Sequence, residues 1–328
     1  MRAPEFWGNP RSRIADLLSP LAGLYSLAGR LHRGFVRPVR SPVPVICVGN
    51  VVAGGAGKTP TAIAVARFLK QRGRQPHLIT RGYGGNLPGP VRVASHGAAA
   101  VGDEALLLAE VAPTWVARDR VAGANAAVAA GADVLVLDDG LQNPALVKDV
   151  SLLVVDGGYG FGNGRRIPAG PLRELPVEAG KRASAVVLVA DDGGDVVRPD
   201  DLLWGPPVYV ARLAPTSSIA TLADQALVAF AGIGRPQKFF NTLVAAGCRV
   251  VGAYTFPDHH VYRDDEIMKL VEIAVSRQAK LVTTTKDAVR LPTDARRMLE
   301  VLAVELTFEH SDALAEILAP IFVGPATS

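Results

Sequence analysis

The run Val43-Pro44-Val45-Ile46-Cys47-Val48, followed by Gly54-Gly55-Ala56-Gly57-Lys58-Thr59 and then a helical stretch, restricts this chain more than any other feature. Glycines let successive backbone N–H groups curl around phosphate oxygens, and a helix starting directly after them adds its positive N-terminal dipole. In that setting Lys58 would reach the β- and γ-phosphates and the Thr59 hydroxyl would ligate Mg²⁺. Val52 stands where the strict G-x-x-x-x-G-K-[ST] pattern has its first glycine, so the match is to the G-G-x-G-K-T form of the phosphate loop. A glycine-rich turn with an incidental lysine is the competing account; the strand before and the helix after weigh against it. Val52 and Ala53 through Thr59 are therefore the expected binding loop for a nucleoside triphosphate.

The next 170 or so residues repeat the same alternation of apolar runs and helical patterns. His77–Thr80, Val134–Leu137, Leu152–Val155 and Val186–Val189 are short and continuously apolar or β-branched, as strands buried on both faces of a parallel sheet are. Helical patterns lie between them, including Pro60–Arg72 ended by Gly73, and Glu104–Val111. Around Trp204 to Thr221 the pattern loosens into Pro- and Ser-bearing segments that read as a linker. Beyond it, Leu227–Phe230, Arg249–Tyr254 and Leu281–Thr284 read as strands, and Pro236–Ala246 and Asp264–Arg277 as helices. The expected fold is α/β: a P-loop NTPase-like, mostly parallel, doubly wound sheet with a second, smaller α/β lobe and an N-terminal amphipathic helical segment. The corresponding boundaries are 1–40 for the N-terminal segment, 41–205 for the core, and 206–328 for the linker and smaller lobe. No internal repeat is visible.

With 49% hydrophobic and 20% charged residues among 328, the chain can bury a core and is neither disordered nor fibrous. Its two cysteines, Cys47 and Cys248, are far apart and have no metal-ligand spacing, so a reducing, cytosol-facing setting is expected. The net charge of +4 is unevenly placed. Residues 1–40 carry Arg2, Arg11, Arg13, Arg30, Arg33, Arg37 and Arg40 against Glu5 and Asp16, a net of +5 that leaves the remainder at −1. A basic terminus on a near-neutral body argues against a nucleic-acid-binding protein and for a polyanionic surface near the N-terminus, such as a membrane leaflet.

Asn9-Pro10 and Ser19-Pro20 each read as a helix cap followed by a first-turn proline, giving two short helices. Leu21, Leu24, Tyr25, Ala28 and Leu31 then share one face, beside Arg30, His32 and Arg33, an arrangement suited to a helix lying in a membrane interface. Packing of that face on the protein's own body is the alternative. No stretch reaches the roughly 20 apolar residues of a spanning helix, and no signal-peptide pattern is present.

Three further groups carry chemistry. Val134–Leu137 ends in Asp138-Asp139-Gly140; behind a phosphate loop, an aspartate there holds Mg²⁺ or its water. Gly102-Asp103-Glu104-Ala105 opens a helix with two acids, which capping and the helix dipole alone would explain. Phe256-Pro257-Asp258-His259-His260 is a loop with paired histidines and no third metal ligand near in sequence.

Taken in order, Pro4-Glu5-Phe6-Trp7, Gly54 to Pro60, Arg81-Gly82-Tyr83-Gly84-Gly85, Gly102 to Ala105, Asp138-Asp139-Gly140-Leu141-Gln142, Pro168-Ala169-Gly170-Pro171-Leu172-Arg173-Glu174 and Phe256 to His259 closely resemble the tetraacyldisaccharide 4′-kinases of lipid A biosynthesis. The likeness runs to Lys286-Asp287, most of the chain. It implies an ATP-dependent kinase that phosphorylates the 4′-hydroxyl of a tetraacylated glucosamine disaccharide 1-phosphate to give lipid IVA. It also implies an enzyme peripheral or monotopic on the cytoplasmic face of the inner membrane, with no obligate protein partner. Carried over, Lys58 and Thr59 resemble the family's phosphate and Mg²⁺ contacts, and Asp138 and Asp139 its acidic pair near the metal. Glu104 is a further candidate for the same ion. Asp103 matches the proposed catalytic carboxylate, His259 the histidine that assists it, and Arg81 a phosphate or substrate contact. Two positions depart from the family: Asn143 stands where a histidine is common, and Thr285 where an acid precedes Lys-Asp.

The rival reading is a P-loop switch ATPase or GTPase acting on a protein partner. Guanine specificity needs N/T-K-x-D, and Thr285-Lys286-Asp287 places its aspartate one residue after the lysine rather than two. A purely structural membrane adaptor would leave the phosphate loop without a purpose.

Overall fold

The continuous apolar runs become the centre of a nine-stranded sheet, because a strand without polar alternation must be covered on both faces. In the computed structural model the described residues are 4–190, 197, 202 and 205–322, less the side chains of residues 27, 28, 30, 32, 33 and 293. Arg2 and Trp204, and the side chains of Ala28, Arg30, His32 and Arg33, thus lie outside the described residues. The strands are β1 Val45–Gly49, β2 Pro76–Thr80, β3 Val91–Arg92, β4 Thr114–Val116, β5 Val134–Asp138, β6 Val150–Asp156, β7 Ala185–Ala190, β8 Val208–Pro215, β9 Ala226–Ala231, β10 Arg249–Thr255, β11 Lys280–Thr284, β12 Glu300–Leu302 and β13 Val304–Phe308. The helices are α1 Arg13–Phe35, α2 Lys58–Gln71, α3 Ala98–Val101, α4 Asp103–Ala109, α5 Arg120–Ala129, α6 Pro176–Gly180, α7 Pro236–Ala245, α8 Asp264–Ser276, α9 Thr285–Ala288, α10 Thr293–Arg296 and α11 Ala313–Phe322.

The large sheet runs β13-β8-β7-β6-β1-β5-β2-β4-β3, parallel except for the edge strands β3 and β13. Every residue of β1, β2, β5, β6 and β7 is buried. The two-residue period sorts β1 between the two faces: Ile46 and Val48 pack with Val65 and Leu69 of α2, while Val45 and Cys47 pack with Ala124 and Ala127 of α5. Strands β5 and β6 flank β1, so the chain order reverses there, and the crevice beyond their carboxyl ends is where such sheets bind ligands.

A second, all-parallel sheet of order β10-β9-β11-β12 is inserted between β8 and β13. Phe239, Phe240 and Leu243 of α7 cover one face, and Ile267, Leu270 and Ala274 of α8 the other. Of the stretch from Trp204 to Thr221, expected as linker, the described residues instead form β8 of the large sheet and the start of a 3-10 turn at Ser217–Leu222. Pro206-Pro207 and Pro215 bound β8 so closely that its half-buried Val208, Val210 and Leu213 look like loop residues in the sequence. The chain also returns: Ile317, Leu318 and Ile321 of α11 join the α2 side of the large sheet.

The expected pair of N-terminal helices is a single helix. The chain makes a 3-10 turn at Glu5–Gly8, and then α1 runs unbroken through Pro20. Ser12, not Asn9, caps it, its hydroxyl accepting from the Ala15 amide at 3.3 Å. An interior proline costs about 3 kcal/mol through a lost bond and a clash with the preceding turn. Local contacts hold the turn that precedes it. Arg165 Nη2 meets Asp16 Oδ1 at 2.6 Å, Arg165 Nη1 donates to Ser19 Oγ at 2.9 Å, and Ser19 Oγ donates to the Ala15 carbonyl at 2.8 Å. Upstream, Trp7 Nε1 donates to the Pro168 carbonyl at 3.1 Å, and the Asn163 amide donates to the Trp7 carbonyl at 2.7 Å. The N-terminal segment is thereby pinned to the loop that leads into Arg173 and Glu174. Its outer face is open: Ile14, Leu17, Leu21, Leu24, Tyr25, Leu31 and Phe35 are exposed, Leu17 by 80% and Phe35 by 85%. Among the described residues, no helix is long and apolar enough to cross a membrane.

Candidate active site

The phosphate loop follows β1 as its spacing requires. Gly57 caps α2 in a left-handed conformation, φ 86°, where a Cβ would press on Val189 at 3.1 Å. Two clamps hold the loop open from behind. Asn50 Nδ2 donates to the Val52 carbonyl at 2.8 Å, and residues 51–53 pair with 171–173 through Ala53 N to Pro171 O at 2.8 Å and Arg173 N to Val51 O at 2.7 Å. This gives the Pro168–Glu174 motif a physical task, the support of the loop. Lys58, nearly buried, donates to the Gly54 carbonyl at 3.3 Å and lies 3.9 Å from Asp139. Thr59 Oγ1 donates to Asp138 Oδ2 at 3.0 Å.

The two adjacent aspartates divide. Asp138 ends β5 fully buried, and its Oδ1 has no hydrogen-bond partner among the described residues. Burial, then the charge of Glu104, push its carboxyl up to about 7 against the opposing pull of Lys58. Asp139, at φ 57°, turns the other way and accepts from Arg173 Nη1 at 2.7 Å. Burial would raise Asp139, but Lys58 and Arg173 outweigh it and hold the carboxyl below its ordinary value. A buried carboxylate oxygen with no partner, beside a hydroxyl at the head of a helix, is a fitting place for a divalent cation. Mg²⁺ takes one or two carboxylates and completes its shell with water and substrate phosphates. Among the described residues, no group of three His, Cys, Asp or Glu gathers into an all-protein metal site.

Asp103 and His259 are 156 positions apart in sequence and meet across the two sheets, His259 Nδ1 lying 2.9 Å from Asp103 Oδ2. Asp103 starts α4 directly after Gly102. At Gly102, φ 85°, a Cβ would come within 2.3 Å of the Tyr83 carbonyl, so the Arg81–Gly85 loop packs onto the turn that presents the acid. Burial would raise the Asp103 carboxyl, but the His259 hydrogen bond and the charges of Lys286, His259 and Arg290 keep it below its ordinary value. His259 sits at φ 60°, its amide donating to the Gly232 carbonyl at 3.2 Å and its ring 6.0 Å from that of Tyr83. The other histidine of the pair, His260, faces away and hydrogen-bonds Glu266 at 2.9 Å.

The remaining sequence candidates fall around this centre. Glu104 lies near enough to Asp138 for its charge to act there, and Arg81 is exposed after β2, beside the buried Arg120. At the departures, Asn143 Oδ1 accepts from the Ala145 amide at 2.8 Å, closing a turn, and Thr285 Oγ1 donates to the Leu302 carbonyl at 3.3 Å. Neither side chain has an ionic task. Asp287, the candidate guanine reader of the rival account, is wholly buried. It accepts from Tyr262 Oη at 2.6 Å, the Gly232 amide at 2.9 Å, Arg290 at 3.0 Å and Thr284 Oγ1 at 2.6 Å, which leaves no edge for a base. Residue types and spacing assign no role to Arg173, which holds Asp139, or to Glu174, which accepts from Gln142 at 3.0 Å and Arg182 at 2.6 Å. Their motif is visible in the sequence; the polar contacts that give it meaning are tertiary.

Comparison with known proteins places this geometry. Residues 14–322 match the family model described as tetraacyldisaccharide-1-P 4′-kinase. A tetraacyldisaccharide 4′-kinase of Rhodospirillum centenum is 50% identical over 332 residues, covering 99% of this chain and 98% of the relative. One from Methylorubrum extorquens strain PA1 is also 50% identical, covering 98% and 99%. Among solved structures, the "apo" form of LpxK from Aquifex aeolicus in complex with ATP superposes with a TM-score of 0.75 at 25% identity, covering 94% of this chain and 99% of that one. The chain belongs to the tetraacyldisaccharide 4′-kinase family.

Proposed function

We propose that the protein transfers the γ-phosphate of ATP to the 4′-hydroxyl of a tetraacylated glucosamine disaccharide 1-phosphate, giving lipid IVA, at a membrane surface on which α1 lies. The observation that carries the reading is the Asp103–His259 pair, held at 2.9 Å beside a phosphate loop with a buried Thr59–Asp138 contact. A switch ATPase needs the loop and has no use for a second-sheet histidine on a helix-opening acid.

Phosphoryl transfer asks the protein mainly to position the reactants and neutralise charge. The loop amides and the α2 N-terminus would cradle the phosphates, with Lys58 available from its weak contact to Gly54. Thr59 and Asp138 would hold Mg²⁺, with Glu104 nearby; when bound, the ion supplies charge neutralisation on the phosphate oxygens. Asp139, engaged by Arg173 and Lys58, would set the lysine rather than ligate the metal. Asp103 would orient the attacking hydroxyl and accept its proton, and the depressed carboxyl keeps that acceptor ionised across the neutral range. His259 fixes which oxygen of Asp103 faces the substrate. Arg81 and Tyr83 would line the approach of the sugar.

The membrane reading rests on α1. One stripe from Ile14 to Phe35 is exposed rather than packed on the body, with arginines 11, 13, 37 and 40 nearby in sequence. Such a helix sinks its apolar face into the headgroup boundary while anionic lipid attracts the basic residues.

The test is incubation of the purified protein with ATP, Mg²⁺ and tetraacyldisaccharide 1-phosphate, with mass analysis of the lipid. Gain of one phosphate at the 4′ position, lost in Lys58→Ala, is expected. ATP hydrolysis with no lipid product would reject the reading.

A further inference from the structure

We infer that Arg290 is a positioning residue for phosphoryl transfer, clamping the loop that presents His259 to Asp103; the inference rests on the function proposed above. Arg290 follows α9 in the second sheet's half of the molecule, and its side chain is 4% exposed. Two of its guanidinium bonds go to the surroundings of a single residue. Nη1 donates to the His260 carbonyl at 3.2 Å, directly after His259. Nη2 donates to the Gly232 carbonyl at 3.0 Å, the same oxygen that receives the His259 amide at 3.2 Å. The fork thus holds the loop directly at His260 and indirectly through the Gly232 carbonyl that anchors the His259 amide, and its Nε lies 3.7 Å from Asp103 Oδ2, the oxygen that His259 meets.

His259 needs such a grip. Its φ of 60° is a left-handed region that non-glycine residues rarely adopt and that persists only where the surroundings impose it. The clamp is itself fixed. Nε donates to the Lys286 carbonyl at 2.9 Å, and Nη2 bonds Asp287 at 3.0 Å. Asp287 is held in turn by Tyr262, Thr284 and the Gly232 amide. A side chain at 232 would not fit: its Cβ would stand 2.9 Å from Tyr262 Oη and 3.0 Å from the Pro257 carbonyl. A lysine at 290 would keep the charge but could not donate in a planar fork to three carbonyls and a carboxylate at once. The competing account makes Arg290 a stabiliser of the second sheet alone, with no bearing on His259.

The two accounts part in a double-mutant cycle with the full-length enzyme, ATP and tetraacyldisaccharide 1-phosphate. If the clamp positions His259, Arg290→Lys lowers kcat roughly 100-fold, the cost of a misplaced reacting group, while KM for ATP stays within about twofold. In a His259→Ala background, where residual transfer remains measurable, the same substitution costs less than about threefold, because the group it served is gone. Tyr262→Phe, which removes one bond to Asp287 without removing a charge, is the milder variant. It lowers kcat several-fold in the wild-type background and not in His259→Ala. An unchanged kcat in folded Arg290→Lys, or equal losses in both backgrounds for either variant, overturns the inference. Wild-type transfer is read in the same assay: its absence overturns the functional reading and the clamp with it, whereas an active wild type with equal losses overturns the clamp alone.

Discussion

Asp138→Asn should make the protein more stable and disable it. The carboxyl is fully buried, titrates near 7 in the fold and near 3.8 in the unfolded chain, so ionising it in the fold costs about 4 kcal/mol by pH 8. Because the folded value is raised, the contribution to stability is fully present below about pH 3.8 and is lost as the pH rises through about 7. Asparagine keeps the shape and can still accept the Thr59 hydroxyl, but it does not ionise. Its advantage over wild type therefore grows by about 2–3 kcal/mol between pH 5 and pH 8, on the order of 5 °C in Tm, with groups common to both proteins cancelling. The assay is thermal unfolding of the two proteins without nucleotide, at both pH values. Addition of Mg²⁺ and ATP should then stabilise wild type, by about 2.7 kcal/mol at a hundredfold excess over Kd, and Asp138→Asn far less. A gap between the two proteins that does not change with pH would refute the argument from burial. A mutant that gains as much as wild type from Mg²⁺ and ATP would refute the metal assignment.

Gly102→Ala should place a Cβ 2.3 Å from the Tyr83 carbonyl in a backbone region hostile to alanine; a loss of kcat larger than the loss of ATP affinity is expected, read by steady-state kinetics. Leu17→Glu with Leu24→Glu on the exposed face of α1 should release the protein from anionic vesicles in sedimentation, and raised salt should loosen wild-type binding without abolishing it. Arg165→Ala should free α1 from the loop at 165 while leaving the sheet intact; faster amide exchange confined to residues 13–20 is expected, with Tm changed by little because the Asp16 partner is mostly exposed.

What the sequence discloses depends on whether a residue's task is local. Strands β1, β2, β5, β6 and β7 are legible because burial on both faces leaves mostly apolar residues, and the phosphate loop because its glycines, lysine and threonine act within six positions. Strands β8 and β13 are not: half-buried at one end of the sheet and bounded by prolines or turns, they carry little pattern, and so the chain's return to the large sheet goes unseen. Pro20 misleads because a proline suited to a first turn is tolerated within α1 by anchors supplied 146 residues away. Asp138 and Asp139 are equivalent as letters, and only the positive φ of Asp139 sends one toward Thr59 and the other toward Arg173. Asp103 and His259 are each unremarkable on their own elements, a helix-opening acid and a loop histidine. Family resemblance singled them out, and the fold explains the pairing by bringing the head of α4 against the loop after β10.

The claim that the transfer site is completed across the two sheets is tested most directly by the Asp103–His259 cycle. Asp103→Ala, His259→Ala and the double variant are compared for kcat with tetraacyldisaccharide 1-phosphate under saturating ATP. A working pair predicts a large loss for each single variant, little further loss in the double, and ATP affinity nearly constant throughout. Losses that multiply, or full kcat accompanied only by a lowered Tm, would contradict it.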